Sequence, residues 1–329
     1  MAKVFITGAT GFVGAHVARK LVLRGEDVTA LIRPQSDLAL IRDLQLRTMM
    51  GDLRDFRSVL NAMQGAEVVY HVAADYRLWS RNPKEMYATN VYGTRNVMEA
   101  AARCGVKRVV YTSTVGCLGI PRDGSPGNET TPVSRHDLPG HYKKSKYDAE
   151  MVALDYASNG LDVVIVNPST PVGPGDTKPT PTGRMILDFM RGRMLGYVDT
   201  GLNLIAVEDV ADGHLLAMEG GRRGERYILG NRNLKLIEIF GILAKITGRT
   251  APTIRVPYPL ALAAAYLDAA WSRLRGSEPT VPIEGVLMSR KRMFFDASKA
   301  VSELGLPQSP VEDALRRSVE WFSRKGPAS

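Results

Sequence analysis

The chain has 329 residues, of which 44% are hydrophobic and 23% are charged, with 31 Gly, 19 Pro and 2 Cys. This composition excludes a disordered, collagenous or disulfide-stapled chain, and the length suggests two domains or one enlarged α/β unit. The net charge of +9 suits an anionic partner such as a phosphorylated cofactor, but Lys and Arg are scattered and no nucleic-acid-binding motif is present, so we expect a small-molecule partner.

Short β-branched runs alternate with longer amphipathic stretches over the first 166 residues. This alternation is typical of βαβ units, in which helices cover both faces of a parallel sheet. The predicted strands are 3–7, 28–32, 46–50, 67–72, 108–112 and 162–166. The predicted helices between them are 12–24, 55–63, 83–104 and 142–158. The predicted fold class is therefore α/β, a Rossmann doubly wound parallel sheet.

The amino-acid composition changes after Asn167, where a segment rich in Pro and Gly begins. We predict a dinucleotide-binding Rossmann domain over 1–167. A smaller, mostly helical substrate-binding region is predicted over 168–329, with some segments returning to the Rossmann core. Its predicted helices are 184–192, 207–219, 236–247, 260–275 and 311–323, with short strands near Leu204 and over 226–229.

The longest apolar stretch, 256–267, has ~12 residues, short of the ~20 that a helix needs to cross a bilayer, so no transmembrane span is predicted. The helix over 260–275 carries an aromatic stripe and ends in Arg273 and Arg275, so it could lie in a membrane interface. An Ala-rich helix of this kind more commonly packs on its own domain, which is the expectation here. No positively charged leader with an apolar stretch precedes the first strand, which predicts a cytoplasmic protein.

A Gly-rich turn joins the first predicted strand to the first predicted helix, with Gly8, Gly11 and Gly14 in G-x-x-G-x-x-G spacing. Gly8 permits a tight turn, Gly11 lets the backbone approach a pyrophosphate, and Gly14 lets the helix pack close to the sheet. The helix N-terminus presents N–H groups and partial positive charge to the anion. The sequence therefore predicts a dinucleotide site at this turn, whose other members are Thr10, Phe12 and Val13.

The end of the second predicted strand bears on the choice of dinucleotide. An NAD-selective site carries an acid there to bind the ribose 2′-OH, but this chain has Arg33. Arg33 could pair with a 2′-phosphate and Ser36 could donate to it, so NADP is favoured, with NAD as the alternative. Asp52, after the third strand, is placed to accept from the adenine amino group. The predicted cofactor site is completed by Leu53, Ala73 and Ala74.

Tyr142 and Lys146 stand four residues apart at the start of a predicted helix and share one face of it. A phenol is a poor base at neutral pH because its pKa is ~10. A nearby lysine ammonium and a cationic nicotinamide would both favour the phenolate and lower that pKa toward the working range. The hydroxyls of Ser113 and Thr114 follow the fifth strand, at the edge of the sheet where such folds bind ligands. This combination predicts proton transfer beside a bound cofactor.

Together these residues make the chain resemble the extended short-chain dehydrogenase/reductase superfamily, of the NAD-dependent epimerase/dehydratase type. The resemblance covers nearly the whole chain and rests on the Gly-rich turn and on the segments 51–53, 71–74, 90–94 and Tyr142-x-x-x-Lys146. Within this superfamily, the segments 75–79, 167–176, 180–184 and 197–203 are similar to the hopanoid-associated sugar epimerase group. The better understood relatives of that group are dihydroflavonol-4-reductase-like ketone reductases.

The resemblance implies a chemical role for three residues. Tyr142 would be the general acid/base, and Lys146 would be its electrostatic partner and the ribose anchor. Thr114 would supply the hydroxyl that orients the substrate oxygen. Many relatives have Ser at that place, and Ser113 could share the role.

The resemblance also implies supporting features outside the reacting groups. Pro168 would border the nicotinamide, and Asn90 would support the sheet and the neighbouring helix. Members of the superfamily commonly dimerise through helices that correspond to 90–101 and 142–156, so a homodimer is expected.

Three reactions fit this apparatus: ketone reduction, redox-neutral sugar epimerisation and sugar 4,6-dehydration. Dehydration commonly uses an Asp-Glu pair directly after the active hydroxyl, where this chain has Val115 and Gly116. Arg33 favours hydride transfer between NADP(H) and a secondary alcohol or ketone. Arg184 and its neighbours could instead bind the diphosphate of a nucleotide sugar, as an epimerase requires. A third reading is an NADP-binding sensor or scaffold without turnover, against which the intact tyrosine–lysine pair argues.

The predicted substrate pocket is lined by Tyr76, Trp79, Thr170, Thr182, Arg184 and Tyr197. The five histidines show no ligand spacing, so no metal is predicted.

Overall fold

The computed structural model describes residues 1–324 and contains a seven-stranded parallel sheet. The strands of all sheets in the described chain are β1 (Lys3–Thr7), β2 (Asp27–Ile32), β3 (Arg47–Met50), β4 (Val68–His71), β5 (Arg108–Thr112), β6 (Val163–Pro168), β7 (Thr170–Val172), β8 (Gly196–Tyr197), β9 (Gly201–Ala206), β10 (Arg226–Leu229), β11 (Arg232–Lys235) and β12 (Ile254–Arg255). The large sheet has the order β10-β6-β5-β4-β1-β2-β3. This is a doubly wound parallel sheet, as predicted from the sequence, with β10 as a seventh strand at one edge.

Helices cover both faces of this sheet. The α-helices of the described chain are α1 (Phe12–Leu23), α2 (Phe56–Met63), α3 (Pro83–Tyr87), α4 (Gly93–Arg103), α5 (Gly140–Ser158), α6 (Pro181–Met190), α7 (Val207–Gly220), α8 (Leu236–Thr247), α9 (Tyr258–Arg275), α10 (Ile283–Met288), α11 (Ser298–Leu304) and α12 (Val311–Arg324). Apolar residues of α1, α7 and α11 form one buried layer, and those of α2, α4 and α5 form the other. The sheet is therefore buried on both sides, as its continuous β-branched runs require.

The stretch predicted as one helix over 83–104 is interrupted. It consists of α3, one turn of π-helix over Ala88–Tyr92, and α4. Such turns are rare and occur frequently at functional sites, because the extra residue re-aims the side chains around it. Here the turn carries Asn90, whose contacts are described below.

The direction of strand addition reverses between β1 and β4, which opens a crevice at their carboxyl ends. Gly8 lies there with a φ of +79°, and a Cβ on it would be 2.6 Å from the Ala73 backbone nitrogen. A Cβ on Gly14 would be 2.0 Å from the Gly8 carbonyl oxygen. Only glycine fits either position, so the turn and the start of α1 approach each other at backbone contact.

The C-terminal half of the chain is divided between the large sheet and a smaller unit. Strand β10 returns to the large sheet beside β6, and two small sheets have the orders β11-β9-β7 and β12-β8. The sequence predicted β9 and β10 but not β7, β8, β11 or β12, because strands this short show no measurable periodicity. Helices α6, α8 and α12 pack on β9 around an apolar core that includes Ile186, Phe240 and Leu315.

Helix α9 exposes large aromatic side chains to solvent. The expectation that its aromatic stripe packs on its own domain is wrong, because Tyr266 and Trp271 are each 55% exposed. Its buried residues are Ala265 and Ser272, on the side toward α10 and the domain. Between residues 1 and 324, no helix has the length and hydropathy needed to cross a bilayer.

Candidate active site

Two hydroxyl groups are fixed side by side at the carboxyl edge of the large sheet. Tyr142 lies in the first turn of α5, and Thr114 begins a 3-10 turn directly after β5. The Thr114 hydroxyl interacts with the Tyr142 phenol. Thr114 Oγ1 also accepts from the Gly116 backbone nitrogen at 3.1 Å, and its carbonyl accepts from Asn167 Nδ2 at 3.1 Å. The loop and the helix therefore hold a hydroxyl pair in one place.

Lys146 points toward β5 from the next turn of α5. Its Nζ donates to the Tyr111 hydroxyl at 3.0 Å and to the Thr112 carbonyl at 2.7 Å. An ammonium has three N–H donors, so one remains for a ribose hydroxyl or for the Tyr142 phenol. Burial lowers the pKa of Lys146 to about 8. Sequence reasoning missed Tyr111, although the two-residue alternation of β5 places it on the face that α5 covers.

Within the chain alone, the pKa of the Tyr142 phenol shifts upward rather than downward. Burial raises the pKa of the Tyr142 phenol, and the hydrogen bond from Thr114 opposes that rise only in part. The Lys146 ammonium donates to Tyr111 and Thr112 of β5. Tyr142 is therefore a protonated phenol at neutral pH, which is the form that donates a proton.

Asn90 connects the π-helical turn to the helix that carries Tyr142. Its Oδ1 accepts from the Asp75 backbone nitrogen at 2.7 Å, and its Nδ2 donates to the Asp75 carbonyl and to Ser145 Oγ, both at 2.9 Å. Ser145 Oγ in turn donates to the Tyr142 carbonyl at 2.8 Å. One amide side chain thus fixes the loop after β4 against the first turn of α5.

His71 forms a buried link between β1 and α4. Its Nδ1 lies 2.8 Å from Thr7 Oγ1, and its Nε2 lies 3.0 Å from Thr94 Oγ1. Thr94 Oγ1 donates to the Asn90 carbonyl at 2.6 Å, so the imidazole donates from Nε2. Burial, with a smaller contribution from the Lys146 charge, lowers the pKa of His71 to about 3. The imidazole is therefore neutral and acts as a structural hydrogen-bond bridge.

Glu284 of α10 caps the N-terminus of α5 from a distant part of the chain. Its Oε1 accepts from the His141 backbone nitrogen at 2.8 Å, and its carboxylate also interacts with the Tyr142 backbone N–H. Pro139, which precedes α5, provides no side-chain cap. A carboxylate at a helix N-terminus satisfies N–H groups and complements the helix dipole. The C-terminal unit therefore holds the start of the helix that carries Tyr142.

Two arginines cluster at the carboxyl ends of β2 and β3. Arg54 binds both oxygens of Asp52, with Nε to Oδ1 at 2.9 Å and Nη2 to Oδ2 at 2.6 Å. The Arg54 hydrogen bond, with a smaller contribution from Arg33, lowers the pKa of Asp52. Arg33 itself is exposed, and its backbone nitrogen donates to Ser36 Oγ at 3.0 Å. Sequence reasoning missed Arg54, although an Asp-x-Arg spacing after a strand is a local signal for such a pair.

Three buried oxygen atoms at the ends of β5 and β6 have no hydrogen-bond partner within residues 1–324: Ser113 Oγ, Asn167 Oδ1 and Ser169 Oγ. An unsatisfied buried polar atom costs about 1–3 kcal/mol, so such a cluster indicates a polar ligand. Pro168 lies between two of these residues. Together with the glycine contacts at the β1–α1 turn, these atoms fit an extended dinucleotide along the carboxyl edge of the sheet.

The remaining predicted cofactor residues lie around this edge. Thr10 is half-buried in the Gly-rich turn, and Ala74 is half-buried in the loop after β4. Phe12 and Val13 begin α1, with the Phe12 ring packed edge-on against His16. Leu53 is buried, and a Cβ on Gly93 would lie 2.9 Å from the Leu53 Cβ.

The residues predicted to line a substrate pocket are only partly brought together. The Tyr76 hydroxyl donates to the Lys178 carbonyl at 3.2 Å, which joins the loop after β4 to the segment before α6. Tyr197 instead packs edge-on against Phe240, with ring centroids 6.5 Å apart, in the core of the C-terminal unit. Trp79 is half-buried, Thr170 lies in β7, Thr182 is buried in α6 and Arg184 is exposed on α6.

Comparison with known proteins gives consistent matches. The family model described as "NAD dependent epimerase/dehydratase family" matches residues 4–230. A protein of Synechocystis sp. named "Putative dihydroflavonol 4-reductase" is 47% identical over 326 residues, covering 98% of this chain and 95% of the relative. "Sterol demethylase protein B" of Methylococcus capsulatus is 37% identical over 323 residues, covering 98% of each. The crystal structure of gox2253 matches with a TM-score of 0.89 and 45% identity, covering 100% of both chains.

Proposed function

The chain belongs to the NAD dependent epimerase/dehydratase family of enzymes, and from that premise we propose that it transfers hydride between NADP(H) and a secondary alcohol or ketone. The observation that carries this proposal is the contact between the Thr114 hydroxyl and the Tyr142 phenol, at the start of the helix that also carries Lys146. Such a pair can hold a carbonyl oxygen between two hydroxyls while one of them gives it a proton.

Tyr142 is the general acid in the direction of reduction. Its raised pKa keeps the phenol protonated until a carbonyl oxygen develops negative charge beside it. Thr114 donates to the same oxygen and orients it, because its own Oγ1 is fixed by the Gly116 backbone nitrogen. In the reverse direction the Tyr142 phenolate takes the proton from the alcohol, and Thr114 again orients the oxygen.

Lys146 is a positioning and electrostatic residue in this scheme. Two of its N–H groups are held by Tyr111 and Thr112, so the third is directed rather than free to rotate. It anchors a ribose hydroxyl and stabilises a phenolate on Tyr142 after the proton has left.

The residues along the sheet edge would hold a nicotinamide dinucleotide. A bound nicotinamide ring supplies or accepts the hydride. Gly8, Gly11 and the N-terminus of α1 would bind the pyrophosphate. Ser113 and Asn167 offer buried oxygen atoms to a polar group at the ends of β5 and β6.

The preference for NADP over NAD rests on Arg33, with Arg54 as a second cation beside it. Arg33 is exposed at the end of β2, where a 2′-phosphate would lie. Arg54 is paired with Asp52, so it would contribute less net charge. An arginine guanidinium binds a phosphate through two N–H groups, and the ribose of NAD has no 2′-phosphate to accept them.

A redox-neutral sugar epimerase is the second candidate, and the description of the matching family model favours it. The names of the two relatives, which refer to a dihydroflavonol and to a sterol, favour an apolar ring-bearing alcohol or ketone. Helices around 90–101 and 142–156 remain the proposed surface for a homodimer.

The test is incubation of the purified chain with NADPH and a panel containing a dihydroflavonol, a 3-oxosterol and simple cyclic ketones. We expect loss of nicotinamide absorbance in proportion to the alcohol formed. Tightly bound NAD(H) with no net consumption, together with interconversion of a nucleotide sugar, would support the epimerase instead. NADP binding without turnover of any panel member or nucleotide sugar would support a sensor.

A further inference from the structure

Helix α9 presents one continuous apolar face to solvent. Leu260, Leu267, Trp271 and Leu274 are 63%, 72%, 55% and 82% exposed, respectively. These positions follow the 3.6-residue period of an α-helix, so their side chains form a single stripe along most of this 18-residue helix. The two buried residues of the helix, Ala265 and Ser272, lie on the opposite side. The stripe therefore faces away from the protein.

Basic side chains flank the C-terminal end of this stripe. Arg273 and Arg275 lie in the last turn of α9, one on each side of Leu274. The Arg275 guanidinium lies 4.5 Å from the centroid of the Trp271 ring. The acidic residue of α9, Asp268, accepts from the Val281 backbone nitrogen at 2.8 Å and so is held toward the following loop. The exposed face is apolar with a positive border.

We propose that α9 docks the protein on the surface of an anionic lipid bilayer, lying in the plane of the headgroups. An interfacial helix buries Leu and Trp at the headgroup–acyl boundary and places Arg among the phosphates, which is the pattern of this face. The net charge of +9 on the whole chain adds long-range attraction to an anionic surface. A second copy of the chain is the less fitting occupant, because α9 offers Arg273 and Arg275 no exposed carboxylate in return.

The docking face is connected to the active site through α10. This helix packs on α9, and its Glu284 caps the helix that carries Tyr142. Arg81, in the loop between β4 and α3, also donates to the Gly276 carbonyl at the end of α9. A bilayer under α9 would therefore lie beside the active-site wall rather than on the far side of the molecule. This placement suits a substrate that is dissolved in the membrane, and the membrane proposal stands independently of the reaction that the site performs.

The test is co-sedimentation of the full chain with vesicles of phosphatidylcholine alone or of phosphatidylcholine mixed with phosphatidylglycerol. We expect binding to the anionic vesicles to be at least about 10-fold stronger, and to weaken with added salt. Leu267→Ser with Leu274→Ser should reduce that binding at least about 10-fold, because two exposed leucines lose their apolar contact. Arg273→Gln with Arg275→Gln should reduce the preference for anionic over neutral vesicles about 10-fold.

A matched control is Leu23→Ser with Leu195→Ser, which changes two equally exposed leucines, at 78% and 82%, outside α9. This control should bind vesicles as the unchanged chain does. All variants alter exposed side chains, so thermal unfolding and NADP(H) binding should be unchanged and report intact folding.

Two results would overturn the proposal. One is equal vesicle binding by the Leu267→Ser/Leu274→Ser variant and the unchanged chain, including no binding by either. The other is a change from dimer to monomer in that variant by light scattering, with no vesicle binding, which would assign the face to a second copy. A third measurement would support the membrane proposal directly. Tryptophan fluorescence should shift to the blue when vesicles bind, and Trp271→Phe should abolish that shift.

Discussion

The ammonium of Lys146 binds the hydroxyl of Tyr111 at 3.0 Å and lies 4.7 Å from the centroid of the same ring. The lysine is therefore oriented by residues of β5. One N–H of Lys146 remains for a ligand in the proposed active site. Tyr111 affects that N–H only by orienting the lysine side chain. The tyrosine proposed to transfer the proton and the tyrosine that binds the lysine are different residues.

Tyr111→Phe removes the acceptor for one N–H of Lys146 and keeps the ring. We expect kcat to fall on the order of 10-fold, because the lysine loses one of two fixed hydrogen bonds. The alkaline limb of the pH–rate profile should also move, which a purely structural defect would not cause. An unchanged profile with unchanged kcat would contradict the positioning role.

Tyr142→Phe removes the proposed proton donor. Turnover should fall by at least about 10³-fold while the affinity for NADP(H) changes little, because the ring and its packing remain. Tyr156→Phe is the matched control on the same helix, since it loses only the hydrogen bond from its hydroxyl to Glu99. Steady-state kinetics and fluorescence titration of the cofactor measure the two effects. Substantial activity in Tyr142→Phe would disprove the assignment.

Thr114→Ser and Thr114→Val separate the hydroxyl from the methyl group. Ser keeps the hydrogen bond to Tyr142, so kcat/KM should stay within about 3-fold, whereas Val should lose about 10² to 10³-fold. Ser113→Ala removes an oxygen that has no partner within the described chain, and its effect should appear in cofactor affinity. If Ser113→Ala instead abolishes turnover and Thr114→Val does not, the two hydroxyls exchange roles.

Arg33→Ala should lower the affinity for NADPH about 10-fold and leave that for NADH nearly unchanged, because only NADPH carries the 2′-phosphate. Arg54→Ala is the informative companion, since it removes the cation that is paired with the Asp52 carboxylate and leaves that negative charge near the proposed 2′-phosphate site. We expect Arg54→Ala also to shift the cofactor preference from NADPH toward NADH. The ratio of the two dissociation constants is the measurement, and equal losses for both cofactors would contradict the assignment.

Two buried lysines make stability depend on pH. Burial lowers the pKa of Lys143 and of Lys146 from 10.5 to about 8. Between pH 8 and pH 10 the unfolded chain binds more protons at these groups, so they make the free energy of unfolding rise with pH, by about 2 kcal/mol for each. Lys143→Met should remove its share of this slope in the cofactor-free protein. Lys143 suits this test better than Lys146, because Lys146 has a role in the proposed reaction whereas the Lys143 amine contacts the Met293 sulfur, at 3.9 Å.

Chemical denaturation at several pH values measures this slope. Lys144→Met, at the next position of the same helix, is the control and should leave it in place because Lys143 remains. An identical slope in Lys143→Met and in the unchanged chain would show that the buried amine is accommodated in another way.

Much of the N-terminal fold could be predicted from local signals. Strand and helix ends before residue 167 fall within two residues of the predicted ones, apart from the interrupted stretch at 83–104. Hydrophobic period and glycine punctuation are properties of neighbouring residues, so a sequence carries them directly. The π-helical turn escaped prediction because one inserted residue hardly changes that period.

The sequence by itself determined the sheet, the Gly-rich turn and the shared helix face of Tyr142 and Lys146, since each depends on spacing along a short segment. Only the tertiary structure decided the direction of the Tyr142 pKa shift, the partner of Lys146 and the exposure of α9. Lys146 and Tyr111 are 35 residues apart, and His141 and Glu284 are 143 apart. Burial and hydrogen bonding are set by such distant neighbours, so they arise only when the chain has folded.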